Sequence, residues 1–163
     1  MKPDELLSLL QEFYRERLAM MLRHQAGARH VLQYDANNTY QYVLAREDVH
    51  LSWLARAIQD MGGTVENGPG EQARPLTGKG EAAAHVIVEE DARDAEAFVK
   101  RWTPRVEEVT NARQQTMLRV ILGEMLEQRR FFEQAFAGRT DLLGRRTTGS
   151  PAEGAVLGTR WIE

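Results

Sequence analysis

The 163-residue sequence contains no cysteine and no long apolar run. The absence of cysteine excludes disulfides, thiolate chemistry and zinc sites with cysteine ligands. No apolar stretch approaches the ~18 residues that a membrane-spanning helix needs. The first residues, MKPDELLSLL, are acidic and amphipathic, unlike a signal peptide. The sequence therefore predicts a cytoplasmic protein without a membrane partner.

The sequence also lacks an excess of positive charge. Its formal net charge is -3 at pH 7, so no basic field attracts nucleic acid. Hydrophobic residues make up 42% and charged residues 28%, which is ordinary for a globular protein. A chain of this length can bury a core within one domain. We therefore expect a single globular domain that does not bind nucleic acid.

Helical periodicity is clear in the first half of the chain. One helix is predicted to begin at Pro3 and to end between Gln25 and Tyr34. A polar cluster after it predicts a turn, with Asn38 or Thr39 as the N-cap of a second helix. A Gly-Gly pair should end that second helix. A short connection between two long helices predicts an antiparallel hairpin.

The second half of the chain begins with a region rich in Gly and Pro. Residues 64 to about 85 lack periodicity and predict a long crossover loop. The segment AAAHVIVEE, which begins at Ala82, suits either a short extended piece or the first turns of a third helix. Pro104 should kink or break the third helix. A fourth helix is predicted from Arg113 to about Ala137, before a closing glycine.

These elements predict an all-α fold. Two helix hairpins joined by a long crossover loop form an antiparallel four-helix bundle over residues 1–139. The C-terminal tail, 140–163, mixes Gly, Ser, Thr and Pro with isolated apolar residues. It is expected to be either a loose arm or a segment that docks on the body or on a partner subunit.

The most informative pattern lies in the second helix. Glu47 and His50 fall on the same stripe as Leu54, which should face the core. Burying either side chain without a partner costs roughly 2 kcal/mol or more. Residues three apart on a helix point the same way, as in a Glu-x-x-His pair that binds a metal ion inside a bundle. The alternatives are a contact at the solvent-exposed edge and a buried couple that pairs with Glu16 or Arg17.

This layout resembles the ferritin-like superfamily, as seen in rubrerythrin and bacterioferritin relatives. The matching residues are LAREDVH in the second helix and the MGGT that ends it. The resemblance implies a dinuclear iron or manganese centre with ligands from all four helices. In the first helix it implies Glu16, unless Arg17 takes that position. In the third helix it implies Asp91 or Asp94.

The fourth helix departs from the family pattern. Where a second Glu-x-x-His should stand, the sequence reads GEMLEQRR. In one register Glu124 and Glu127 take the ligand positions. In the next register Met125 and Gln128 take them, and half of the site is lost. The predicted metal ligands are Glu16, Glu47, His50, Glu124 and Glu127.

Two functions are consistent with these patterns. The first is a dinuclear iron or manganese protein, with metal ions as partners and iron-oxidation, oxygen or peroxide chemistry. The second is a metal-free bundle without a cofactor that serves as a structural or interaction module. A homodimer or a higher homo-oligomer is expected. A bundle that binds a small ligand in its interior ranks third. His24 and His30 are expected at the surface or rim, and Trp53 in the core.

Overall fold

The computed structural model describes residues 1–65, 68, 74–139 and 142. Within these residues the secondary structure is helical, without a strand. The four helices are α1 (Pro3–Ala28), α2 (Tyr34–Asp60), α3 (Glu81–Glu107) and α4 (Ala112–Phe136). α1 packs mainly on α2 and α3 mainly on α4, with narrower contacts between α2 and α4 and between α1 and α3. The predicted all-helical bundle of four helices is therefore confirmed.

The start of α2 differs from the prediction. The polar cluster expected to form a turn lies inside the helix, and the N-cap is Gln33 rather than Asn38 or Thr39. The Gln33 side chain accepts a hydrogen bond from the backbone N–H of Ala36 at 2.6 Å. It thereby satisfies one of the donors that a helix start leaves open. Glutamine is not among the residues that usually signal a cap, so the sequence did not reveal this start.

The third helix is longer than predicted. It begins at Glu81, so the AAAHVIVEE segment is helical, and it continues without a break through Pro104 to Glu107. The proline removes the N–H that would bond to the carbonyl of Lys100. Both residues lie on the exposed side of α3, where solvent can satisfy that carbonyl. The predicted break was therefore wrong.

The hydrophobic core is divided along the bundle. One cluster packs around Phe13, Leu54 and Met125, and a second cluster packs around Val43 and Phe132. Five of the buried polar side chains in α1, α2 and α4 fall between the residues of these two clusters. The residues of this middle layer are Arg17, His24, Glu47, His50 and Gln128. The fold thus places a charged layer at mid-height in the core.

A glycine follows α2, and one buried residue is described after α4. Gly62, with φ of 79°, follows the last turn of α2, as the Gly-Gly signal predicted. Among the residues described, no helix has the length and apolar character to cross a membrane. Beyond Arg139, only Leu142 is described, and it is 8% exposed. The predicted behaviour of the rest of the tail lies outside the described residues.

Candidate functional site

Glu47 and His50 both point into the core, where each is 0% exposed. The Glu47 carboxylate meets two groups from α1. Its Oε1 lies 3.2 Å from Arg17 Nη2. The Nδ1 of His24 lies 2.9 Å from Oε1 and 3.1 Å from Oε2. A cation and an imidazole of the chain itself therefore hold the buried carboxylate.

Arg17 is the centre of this layer. Leu10 precedes it by seven residues and Met21 follows by four, so it lies on the buried stripe of α1. Its side chain is fully buried, and Nη2 also lies 3.5 Å from His50 Nδ1. The guanidinium thus lies between Glu47 and His50. Arg17, and not the predicted ligand Glu16, is therefore the α1 residue that meets this pair.

His50 links the buried layer to α4. Its Nε2 lies 2.9 Å from Glu124 Oε2, and Glu124 also receives two hydrogen bonds from Arg46 at 2.6 and 2.8 Å. A guanidinium can only donate, so the contact with Arg17 assigns Nδ1 as the acceptor and places the proton on Nε2. Burial and the charge of Arg17 lower the pKa of His50, although Glu124 opposes them. The neutral imidazole therefore bridges Arg17 and Glu124.

The pKa of His24 is shifted in the opposite direction from that of His50. Burial alone would lower its pKa, but the charges of Glu47 and Asp91 outweigh burial and raise it. Burial would likewise raise the pKa of Glu47, but His24 and Arg17 together lower it. His24 and Glu47 therefore favour the charged forms as a pair, even though water does not reach them.

A second buried group lies beside His24 and extends the layer to α3. The Tyr40 hydroxyl donates to Asp91 Oδ2 at 2.5 Å. Arg74 forms an ion pair with Asp91, with Nη1 2.8 Å from Oδ1. The same nitrogen donates a hydrogen bond to the other carboxylate oxygen, Oδ2, at 3.0 Å. His24 Nε2 lies 3.9 Å from Asp91 Oδ1. Burial and the neighbouring carboxylate keep the pKa of Tyr40 well above its usual value.

Arg74 ties the connection between α2 and α3 to the bundle. Besides Asp91, its guanidinium donates to the carbonyl of Ile87 at 3.1 Å and to Glu90 at 3.0 Å. A weaker contact reaches the carbonyl of Arg23 at 3.4 Å. Arg74 therefore anchors this connection on both α1 and α3.

The structure brings together three of the five predicted metal ligands, Glu47, His50 and Glu124. Glu16 is directed elsewhere: it accepts a hydrogen bond from Trp102 Nε1 at 2.8 Å and pairs with Arg101. Glu127 is exposed. The placement of Glu16 follows from Arg17, because neighbouring helix residues differ by about 100° in direction and Arg17 takes the inward one.

Of the two registers predicted for α4, the structure turns inward the one with Met125 and Gln128 at the ligand positions. Met125 is 0% exposed and Gln128 is 2% exposed. The Gln128 amide has no hydrogen-bond partner among the described residues for either its nitrogen or its oxygen. In α3, Asp91 faces the layer as expected, whereas Asp94 pairs with Arg23 at 3.1 Å on the outside.

Several residues of the layer were missed from the sequence. His24 was expected at the surface or rim, but it is 1% exposed. Its signal was the seven-residue spacing from Leu10 through Arg17 to His24, which is the period of a core stripe. Tyr40 was missed because the start of α2 was predicted too late in the sequence, at Asn38 or Thr39. Arg74 has no signal, because it lies in a segment without periodicity.

These donors do not fit a dinuclear metal centre as they are arranged. Among the residues that the structure describes, no group of three or more His, Asp or Glu side chains could hold a metal ion. The Arg17 guanidinium stands within 3.2 Å of the Glu47 carboxylate. It supplies the positive charge that a metal ion would bring. Metal binding by this chain therefore stays a prediction.

Comparison with known proteins finds no matching family model, no matching curated protein and no matching solved structure. The ferritin-like resemblance therefore depends on the residues and the helix arrangement of this chain.

Proposed function

We propose that the chain is a metal-free, ferritin-like bundle that acts as a homodimeric interaction module. The observation that carries the metal-free part is the buried guanidinium of Arg17 between Glu47 and His50. At ~4 Å and an effective dielectric constant of about 20, each unit of positive charge on a metal ion would be repelled by roughly 4 kcal/mol. The same guanidinium already neutralises the carboxylate that would attract the metal.

Support for the ferritin-like arrangement comes from the order of contacts along neighbouring helices. Residue numbers rise on one helix as they fall on the other, which is the pattern of antiparallel neighbours. The contact pairs are Arg17–His50 and His24–Glu47 between α1 and α2, Glu12–Arg105 and Arg23–Asp94 between α1 and α3, and Arg46–Glu124 and Tyr42–Phe131 between α2 and α4. With α2 and α3 pointing the same way, this arrangement calls for a crossover connection between Asp60 and Glu81.

The charged layer has a structural role in this proposal. Arg17 and His24 connect α1 to α2 through Glu47, and His50 connects α2 to α4 through Glu124. Asp91 of α3 joins the same layer. Each contact is directional, so sliding one helix by a turn would leave buried charges unpaired at a cost of several kcal/mol. The layer therefore fixes the register of the four helices.

The interaction part of the proposal comes from apolar residues at the surface. Trp53 of α2 is 38% exposed, rather than in the core as predicted, and Val120 of α4 is 43% exposed. Both belong to the side of the bundle where α2 meets α4. Large apolar side chains that share one side of a protein are typical of a binding surface.

The test is metal content combined with stability. The full chain is expressed in medium supplemented with iron and manganese, and thermal unfolding is followed with and without a chelator. We expect well under one metal ion per chain and an unchanged unfolding midpoint, because no metal contributes to folding. About one or more metal ions per chain, lost together with stability in Glu47→Ala, would overturn the metal-free function.

A further inference from the structure

The groove between α2 and α4 lacks a partner within the described chain. Trp53, Ala57, Met117 and Val120 line it, and it encloses about 410 Å³. We call this surface, together with Gly123 beside it, the α2–α4 face. The α2–α4 face lies beside the buried layer, because Trp53 packs against His50 with ring centroids 5.7 Å apart. The face therefore borders the part of the bundle where Glu124, at 25% exposure, contacts His50.

Gly123 is unexplained by the folded monomer. It lies in the middle of α4 and is exposed, and a Cβ added there would meet no described atom within 4 Å. Glycine inside a helix is destabilising relative to alanine. What glycine offers at such a position is close approach of another backbone. Gly123 lies three residues after Val120, so the approach would occur on the α2–α4 face.

The charges around Val120 are arranged for self-association. Arg113 lies seven residues before Val120 and Glu127 seven residues after it. Both are exposed. The ion pairs found among the described residues do not include them, although the charge of Glu127 contributes to raising the pKa of Arg46. A two-fold axis at Val120 would therefore place Arg113 against the Glu127 position of a second copy.

We propose that the α2–α4 face binds the same face of a second copy of this chain, with the two α4 helices crossing antiparallel at Val120. This inference rests on the proposed homodimeric module and names its interface. One feature of the face supports a second copy over an unrelated partner. Arg113 and Glu127 carry opposite charges and lie at equal distances along the sequence from Val120.

The first experiment compares two exposed apolar residues of α4 by light scattering and sedimentation of the full chain. Val120 is 43% exposed and lies on the face, and Leu126 is 41% exposed and lies outside it. We expect Val120→Asp to weaken dimerisation at least about tenfold and Leu126→Asp to leave it unchanged. A dimer that resists Val120→Asp overturns this interface, while the dimeric module stands.

The second experiment exchanges the charges. Arg113→Glu alone and Glu127→Arg alone should each weaken the dimer about tenfold, because like charges then face each other. The double variant, Arg113→Glu with Glu127→Arg, should return to within roughly threefold of the unmodified chain. A double variant no stronger than the weaker single variant would contradict the two-fold pairing. A chain that is monomeric at all concentrations overturns the interface, and metal content then still decides the metal-free function separately.

Discussion

The guanidinium of Arg17 lies 3.2 Å from the carboxylate of Glu47, and both side chains are completely buried. The pair includes Glu47 and lies beside His50, the two residues for which the sequence predicted metal binding most directly. Burial lowers the pKa of Arg17, but the guanidinium stays charged because Glu47 opposes that effect. The stability of the bundle should therefore depend on both partners together.

Removing one partner of the Arg17–Glu47 pair should lower the free energy of unfolding more than removing both. Arg17→Met leaves the Glu47 charge with His24 alone, and we expect a loss of roughly 3 kcal/mol or more in the free energy of unfolding. Adding Glu47→Gln should recover part of that loss. A double-mutant cycle from urea unfolding measures the coupling.

The control for this cycle is the exposed pair of Arg119 and Glu107, each about half exposed. Arg119→Met should leave the unfolding midpoint nearly unchanged, because solvent screens such a pair. Equal effects of Arg17→Met and Arg119→Met would mean that the buried pair does not stabilise the bundle.

The sequence allowed the helices and the inward direction of Glu47 and His50 to be predicted, because apolar periodicity determines which side of a helix is buried. It left open whether the pair would meet a metal ion, solvent, or Glu16 or Arg17, and the structure pairs it with Arg17. The sequence did not favour Arg17, since a charged residue on a core stripe is read as a surface residue by default. The neighbours of Glu47 come from α1, and long-range contacts of this kind leave no local pattern.

Replacing the buried cation by a carboxylate should create metal affinity. Arg17→Glu would add an acidic oxygen donor beside Glu47 and His50, and His24 alone would then remain to balance two buried carboxylates. We expect the metal-free variant to be strongly destabilised, and Co²⁺ or Zn²⁺ to raise its unfolding midpoint by roughly 5 °C or more. The unmodified chain should show no such shift.

Co²⁺ absorption gives a second measurement on the Arg17→Glu variant. A visible band on titration would indicate nitrogen and oxygen ligation, and metal-dependent recovery of helical circular dichroism would serve if the variant unfolds without metal. A folded variant that binds neither metal would mean that the geometry of the layer, and not the Arg17 charge, is what excludes metal.

The two buried histidines should respond to pH in opposite ways. The pKa of His24 is raised above its ordinary value of 6.5, so its protonated form stabilises the fold below that pH. That contribution is lost as the pH rises through the raised pKa. The pKa of His50 is lowered, so the unfolded chain takes up a proton first as the pH falls below 6.5, which destabilises the fold.

The substitutions His24→Gln and His50→Gln separate these contributions. The destabilisation by His24→Gln should be largest at about pH 5.5 and smaller at about pH 9, whereas that by His50→Gln should shrink toward the acid end. Urea unfolding at both pH values measures this, with His30→Gln as a control outside the layer. The same pH trend in both variants would contradict the opposite pKa directions.

Gly27 should not tolerate a methyl group. A Cβ at this position would lie 2.6 Å from Arg74 Nη1 and 2.9 Å from Ile87 Cγ2. Gly27→Ala should therefore push Arg74 away from Asp91 and cost roughly 1 to 3 kcal/mol, despite the better helix propensity of alanine. Gly123→Ala is the matched control, since it faces open space and should stabilise the monomer by up to ~1 kcal/mol. Urea unfolding at low protein concentration measures both, and a stabilising Gly27→Ala would contradict the contact.

Replacing Gln128 should stabilise the fold, unlike the replacements of charged residues in the layer. Its amide is 2% exposed and unpartnered among the described residues, so it contributes a desolvation cost without a hydrogen bond in return. Gln128→Met keeps the volume and should stabilise the fold by about 1 kcal/mol. Asn37→Leu is the comparison, because Asn37 Nδ2 donates to the carbonyl of Ala28 at 3.0 Å, and losing that donor would leave the carbonyl unpaired and should destabilise the fold. The Asn37 Oδ1, like the Gln128 amide, has no partner among the described residues. A destabilising Gln128→Met would mean that the amide has a bound partner in solution, and the charged layer would then be a binding site as well as a structural element.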